Sequence, residues 1–218
     1  MSRIVFLFLL FPFCSGAQFL YEFDQSIPVI VNGEELKMPW AGGINSAQYN
    51  SIDLNNDGTE DLILFDRGAN SIATFLAIDN SYVFAPEYAS LFPKEINNWL
   101  ILKDYNCDGK KDIFTSSPFG IATFLNVSQD QLKWESDYDP VNTLGTNGII
   151  NLKINGDDVP AIVDLDNDGD LDILTFGFTG VGTLQYHENR SIENTGACGL
   201  ADFVNTTNKW GDFQECGC

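Results

Sequence analysis

An all-β fold of repeated antiparallel sheets, four strands to each, is what the sequence predicts, and three observations carry it. A nine-residue acidic stretch recurs three times, starting at Asp53, Asp104 and Asp164. Each copy lies between short runs rich in β-branched and aromatic residues, bounded by polar, Gly-containing turns. No apolar pattern of helical period persists for more than a turn or two along the chain.

The chain opens with Arg3, an apolar run from Ile4 to Phe13, and Ser15-Gly16-Ala17. That order is the pattern of a secretory signal peptide cleaved after residue 17. The apolar run is too short to span a bilayer, which needs ~20 residues. After cleavage no membrane insertion is expected. Pro28 to Val31 then reads as a short strand, Asn32-Gly33 as a hairpin turn, and Glu34 to Met38 as the returning strand. Trp40, followed by Gly42-Gly43, is expected to be a core aromatic rather than a ligand-stacking one.

The acidic stretches follow D-x-[DN]-x-D-G-x-x-D. In the third, Asp164, Asp166, Asp168 and Asp172 stand at positions 1, 3, 5 and 9. Carboxylates this close repel unless a cation sits among them, and calcium takes several oxygen ligands at flexible geometry. Glycine at position 6 permits the sharp turn, because it reaches positive φ without steric cost. Position 7 is expected to offer its backbone carbonyl; it is Thr59, Lys110 and Asp170 in the three copies. Position 12 is Leu64, Thr115 and Thr175, so the bidentate Glu of an EF-hand is missing. Each loop is therefore expected to close a β-hairpin, with up to three calcium ions in all.

Around each loop the same elements are expected in the same order. Strands at Ala47–Ile52, Trp99–Lys103 and Pro160–Val163 lead in, and apolar runs at 62–65, 113–114 and 173–176 lead out. Third strands follow at 72–76, 121–125 and 181–186, where Thr74, Thr123 and Thr183 align as a shared position. A period of 51 and then 60 residues suits one propeller blade per repeat. Residues 18–187 hold about three four-stranded antiparallel blades of an incomplete β-propeller, with the calcium loops in hairpins. Three blades do not close a ring, since propellers have ~4–8. The expectation is a fragment of a longer propeller, which alone would associate through its open edges. Residues 188–218 read as a cysteine-containing tail or the start of an insertion. There a disulfide from Cys198 to Cys216 or Cys218 is expected, with Cys107 a packed small side chain.

These motifs resemble the FG-GAP/VCBS repeat of integrin-type β-propellers. With Pro39-Trp-Ala-Gly-Gly, Phe65-Asp-Arg and Pro160-Ala-Ile-Val-Asp-Leu-Asp, they resemble its secreted bacterial members, often carrying a type IX secretion sorting domain. No such domain is visible in this sequence. The resemblance covers roughly residues 25–190. It implies calcium ligands at Asp53, Asn55, Asp57 and Asp61, at Asp104, Asn106, Asp108 and Asp112, and at Asp164, Asp166, Asp168 and Asp172.

The charge balance of 31 acidic against 11 basic side chains, a net of −20, argues against nucleic acid and anionic membranes as partners. His187 is the single histidine and reads as structural, and no nucleophile elbow, zincin or phosphate-loop motif appears. The expected function is a secreted or cell-surface, non-catalytic calcium-binding module for an extracellular protein or glycan. The alternative is the non-catalytic propeller portion of a larger secreted carbohydrate-active enzyme.

The three loops differ in charge. The third holds five Asp, the first three Asp and Glu60, and the second three Asp offset by Lys110 and Lys111. Ligand charge tunes affinity in oxygen-ligand loops. Calcium is expected to leave the 104–112 loop first and the 164–172 loop last. An NMR chelator titration following Gly58, Gly109 and Gly169 checks this order; Gly109 outlasting Gly169 would reverse it.

Overall fold

The computed structural model describes residues 24–137, 140–178, 182–199 and 201–214. The expected signal peptide, Cys216 and Cys218 lie outside them. The chain divides into residues 1–40 and residues 41–218.

In the first unit, β1 (Ile30–Val31) and β2 (Glu34–Glu35) pair antiparallel across Asn32 and Gly33. Both turn residues have positive φ, 53° and 86°, as a two-residue primed turn requires. The strands are shorter than the sequence suggests, and all four of their residues are exposed. Trp40 is not a core aromatic. It is 38% exposed, and its indole N–H donates to the Ile27 carbonyl at 3.0 Å.

The second unit is built of three sheets. In the first, β3 (Ala47–Ile52), β4 (Asp61–Asp66), β5 (Ser71–Ile78) and β6 (Ser81–Phe84) form an antiparallel meander. The second repeats it with β7 (Leu100–Lys103), β8 (Asp112–Ser117), β9 (Gly120–Asn126) and β10 (Trp134–Asp137). Next in the chain come β11 (Asn142–Gly145) and β12 (Gly148–Asn151), a hairpin the sequence reading did not foresee.

The third sheet contains β13 (Ala161–Val163), β14 (Asp172–Phe176), β15 (Leu184–Asn189) and β16 (Phe203–Thr207), with the helix α1 (Ser191–Thr195) between the last two. The β11–β12 hairpin extends this sheet to six strands, β11 lying parallel to β16 through Leu144 and Val204. The stretch after Glu188 thus supplies the fourth meander strand. The fold is all-β and built on antiparallel meanders of four strands, and each acidic loop joins the first two strands of its meander.

Strand pairing corrects one alignment. Ile63 pairs with Thr74 and Phe114 with Thr123, but the equivalent Leu174 pairs with Tyr186 rather than Thr183. The cause is turn length. Residues 67–70 and 118–119 join the second and third strands in the first two sheets, whereas residues 177–183 do so in the third.

The middle sheet is apolar on both faces, because strand residues alternate sides. Leu100, Leu102, Ile113 and Phe124 pack with Ile52, Ile63 and Phe65 of the first sheet and with Leu54 of its loop. Trp99, Phe114 and Ile121 pack on the other side with Ile162, Ile173 and Phe203. Two faces buried in this way explain the continuous apolar runs of the sequence.

Sheets also meet edge to edge. Asn50 donates from Nδ2 to the Leu100 carbonyl and accepts from the Leu102 amide, both at 3.1 Å, while Gln48 Oε1 accepts from the Leu100 amide at 3.0 Å. Side-chain amides of β3 thereby satisfy the backbone of β7, which a bare edge would leave open. Arg67 adds a longer tie, donating to the carbonyls of Asn98 at 3.0 Å and Asp157 at 2.6 Å.

Gly120 begins β9 with φ +135°, and a Cβ there would lie 2.4 Å from the Leu152 carbonyl oxygen. Gly120→Ala is expected to lose at least about 2 kcal/mol of stability, through strain and displaced backbone. Gly43→Ala, with open space and no positive φ, is expected to stay within about 0.5 kcal/mol. Urea unfolding of the two variants makes the comparison; equal stabilities would mean that the 152 segment yields freely.

Candidate metal centre

All three loops fold alike. Position 4 is left-handed in each, with φ of 60°, 59° and 65° at Asn56, Cys107 and Asn167. Position 6 is Gly58, Gly109 and Gly169, with φ of 84°, 86° and 106°. The amide at position 6 donates to the position 1 carboxylate, and the amide at position 7 donates to that at position 5. Side chains are thus drawn inward by backbone N–H groups of the loop itself.

Position 9 does different work. Asp61, Asp112 and Asp172 are at most 1% exposed. One oxygen of each accepts the position 2 amide, from Leu54, Tyr105 and Leu165, at 2.8–2.9 Å. The other accepts an amide of the third strand, from Ala77, Asn126 and Asn189, at 2.7–2.9 Å. Burial raises the Asp112 and Asp172 carboxyls above their ordinary range. Position 2 is the apolar counterpart: Leu54 and Tyr105 are buried beneath their loops. Burial, with Asp137 and Asp112 adding repulsion, pushes the Tyr105 phenol up to about 12.

The loops part company in how their carboxylates are satisfied. Both oxygens of Asp53 and of Asp104 accept loop amides. In the first loop the Asn55 amide also donates to Asp57 at 2.9 Å, the largest cause of that carboxyl lying below its ordinary range. In the third loop, Asp164 Oδ1, Asp168 Oδ2 and Asp170 Oδ1 are shut off from solvent and have no hydrogen-bond partner. Asp164, Asp166 and Asp172 each bring an oxygen within 4.8 Å of the others. Lost hydration, and then repulsion from Asp168, Asp164 and Glu188, raises the Asp166 carboxyl. An all-oxygen set of this kind suits a hard divalent cation.

Four features here have no local sequence signal. Asp170 at position 7 turns its side chain away from the loop. It is 1% exposed, and Oδ2 accepts from Ser191 Oγ at 2.7 Å and the Ile192 amide at 3.2 Å. Glu193 of α1 joins Asp166 and Asp168 in a second group of oxygens within 4.8 Å. Lys110 and Lys111 find their partners outside their own loop: Lys110 donates to the Ser128 carbonyl, and Lys111 pairs with Glu60 of the first loop. Cys107 is not a packed core side chain. It is exposed and bonded to Cys198, 91 residues away, so the expected Cys198 pairing within the tail is also corrected.

His187 lies apart from the loops. It is 3% exposed, its Nδ1 is 2.9 Å from the Thr143 hydroxyl, and burial lowers it to about 4. It is neutral at physiological pH.

Among known protein families, the model of the FG-GAP-like repeat matches residues 53–115. That span runs from the start of the first loop through the second loop into β8. No curated protein and no solved structure matches the chain.

Asp112→Ala would leave the amides of Tyr105 and Asn126 without their acceptor. Each buried unsatisfied group costs ~1–3 kcal/mol. The variant is expected to unfold with about 2–5 kcal/mol less stability in urea with a chelator present, where no cation contributes. A loss below about 1 kcal/mol would show that water replaces the carboxylate.

Proposed function

We propose that this chain is a calcium-stabilised, non-catalytic module of propeller-like FG-GAP architecture, exported from the cell, whose surface engages an extracellular protein or glycan. The observation that carries the calcium reading is the third loop's set of three solvent-excluded, unpartnered carboxylate oxygens, on Asp164, Asp168 and Asp170. An ionised oxygen removed from water without a partner is costly. Three of them in a loop with two further carboxylates call for a cation. Residues Asp164, Asp166, Asp168 and Asp172 would hold it, with the Asp170 backbone carbonyl as a further oxygen donor. The first and second loops share the backbone conformation and are proposed as further calcium sites.

The repeat at 53–115 supports the propeller-like architecture. The Cys107–Cys198 disulfide supports an oxidising destination.

A ligand that binds only the folded state stabilises it by ~2.7 kcal/mol at one hundred times its Kd. The melting temperature is therefore expected to rise with calcium and fall with chelator, and Asp168→Ala is expected to lose part of the rise. Differential scanning calorimetry makes the measurement. A melting curve indifferent to chelator overturns the calcium reading.

A further inference from the structure

We propose that the cation of the third loop is held by two separate segments of chain, the loop and helix α1, with Glu193 as the ligand from outside the repeat motif. The Cys107–Cys198 disulfide keeps that second segment in place. The inference rests on the calcium reading and adds a residue to the site.

The geometry places Glu193 among the loop's ligands. Its carboxylate, with those of Asp166 and Asp168, offers oxygens within 4.8 Å of one another. Asp168 carries one of the loop's three solvent-excluded oxygens without a partner. Among the described residues, no ion pair joins a cationic side chain to any of the three. The nearby Arg190 is paired with Glu188 at 3.1 Å. A glutamate in a first helical turn complements the helix dipole, but α1 has only five residues. That small gain does not account for setting a third carboxylate against two others. A shared divalent cation does.

The position of α1 follows from bonds to the loop. Asp170 holds the Ser191 hydroxyl and the Ile192 amide through Oδ2. Asn189 donates from its amide to Asp172 Oδ1, and its side-chain oxygen accepts the Ser191 and Asp202 amides. Ile192 reaches to 3.5 Å from where a Cβ on Gly169 would stand. Three residues beyond α1, Cys198 is bonded to position 4 of the second loop. Helix α1 is thus tethered to the third loop at its start and to the second loop just past its end. Reduction frees the second tether, and Glu193 then spends less time at the cation.

The experiment is a calcium titration of the full chain followed at the Gly169 amide by NMR. The samples are wild type, Glu193→Gln and Asp168→Ala, each oxidised and reduced with dithiothreitol, with melting curves in chelator alongside. Glu193→Gln is expected to weaken calcium binding at Gly169 roughly tenfold and to leave the chelator melting temperature unchanged. Reduction of the wild type is expected to weaken the same site, and reduction of Glu193→Gln to add little, because both act through one contact. If Asp168→Ala loses calcium while Glu193→Gln binds as the wild type does, the calcium reading stands and Glu193 is no ligand. A Glu193→Gln effect on melting in chelator with unchanged affinity makes Glu193 a helix-capping residue and overturns the proposal. If Gly169 of the wild type does not respond to calcium, the calcium reading fails and this inference with it.

Discussion

The structure depends on one recurring interaction, a buried aspartate that holds a loop to a strand. Asp61, Asp112 and Asp172 each take an amide from the second residue of their own loop and another from the third strand of their own sheet. Two backbone donors that burial would orphan are satisfied by one side chain, and both carboxylate oxygens are used. The cost is a desolvated charge, visible in the raised Asp112 and Asp172 carboxyls. Hydrogen bonds to an ionised acceptor, worth ~1.5–3 kcal/mol each, offset it. Loop shape is consequently set by the protein's own amides.

From that anchor the rest of the second unit can be built outward. The loop delivers the chain into the second strand in a fixed register, so Ile113 and Phe114 fall on opposite faces of the middle sheet and found two cores. Side-chain amides on β3 join the first two sheets along an edge that backbone pairing alone leaves bare. The disulfide closes 91 residues of chain. In the chain-entropy model a closure of that length is worth about 4–5 kcal/mol. It also brings the second and third loops under one constraint.

Charge arithmetic on separate loops turns out to be incomplete. Lys111 belongs to the second loop by sequence, yet its ammonium pairs with Glu60 of the first, and that pair is partly exposed and worth ~1 kcal/mol or less. The first loop thereby loses part of its excess negative charge, and the second keeps more of its own than its sequence implies. The third loop retains all five of its aspartates and gains Glu193 as a neighbour.

The sequence by itself determined what is local. A nine-residue loop with glycine at its sixth position, flanked by β-branched runs, specifies a hairpin connection. Three copies specify three sheets, and the first strands of the first two fall within one residue of the expected bounds. Tertiary structure decided whatever joins distant segments. The β11–β12 hairpin adds to the third sheet by a single parallel bridge. Tyr186 replaces Thr183 as the aligned residue because the preceding turn is longer. Cys107 finds Cys198, and Glu193 finds Asp166 and Asp168, across separations that leave no periodic trace. Local chemistry acts through neighbours along the chain and can be seen in spacing; partners brought together by packing depend on how whole sheets stack, which no short window of sequence contains.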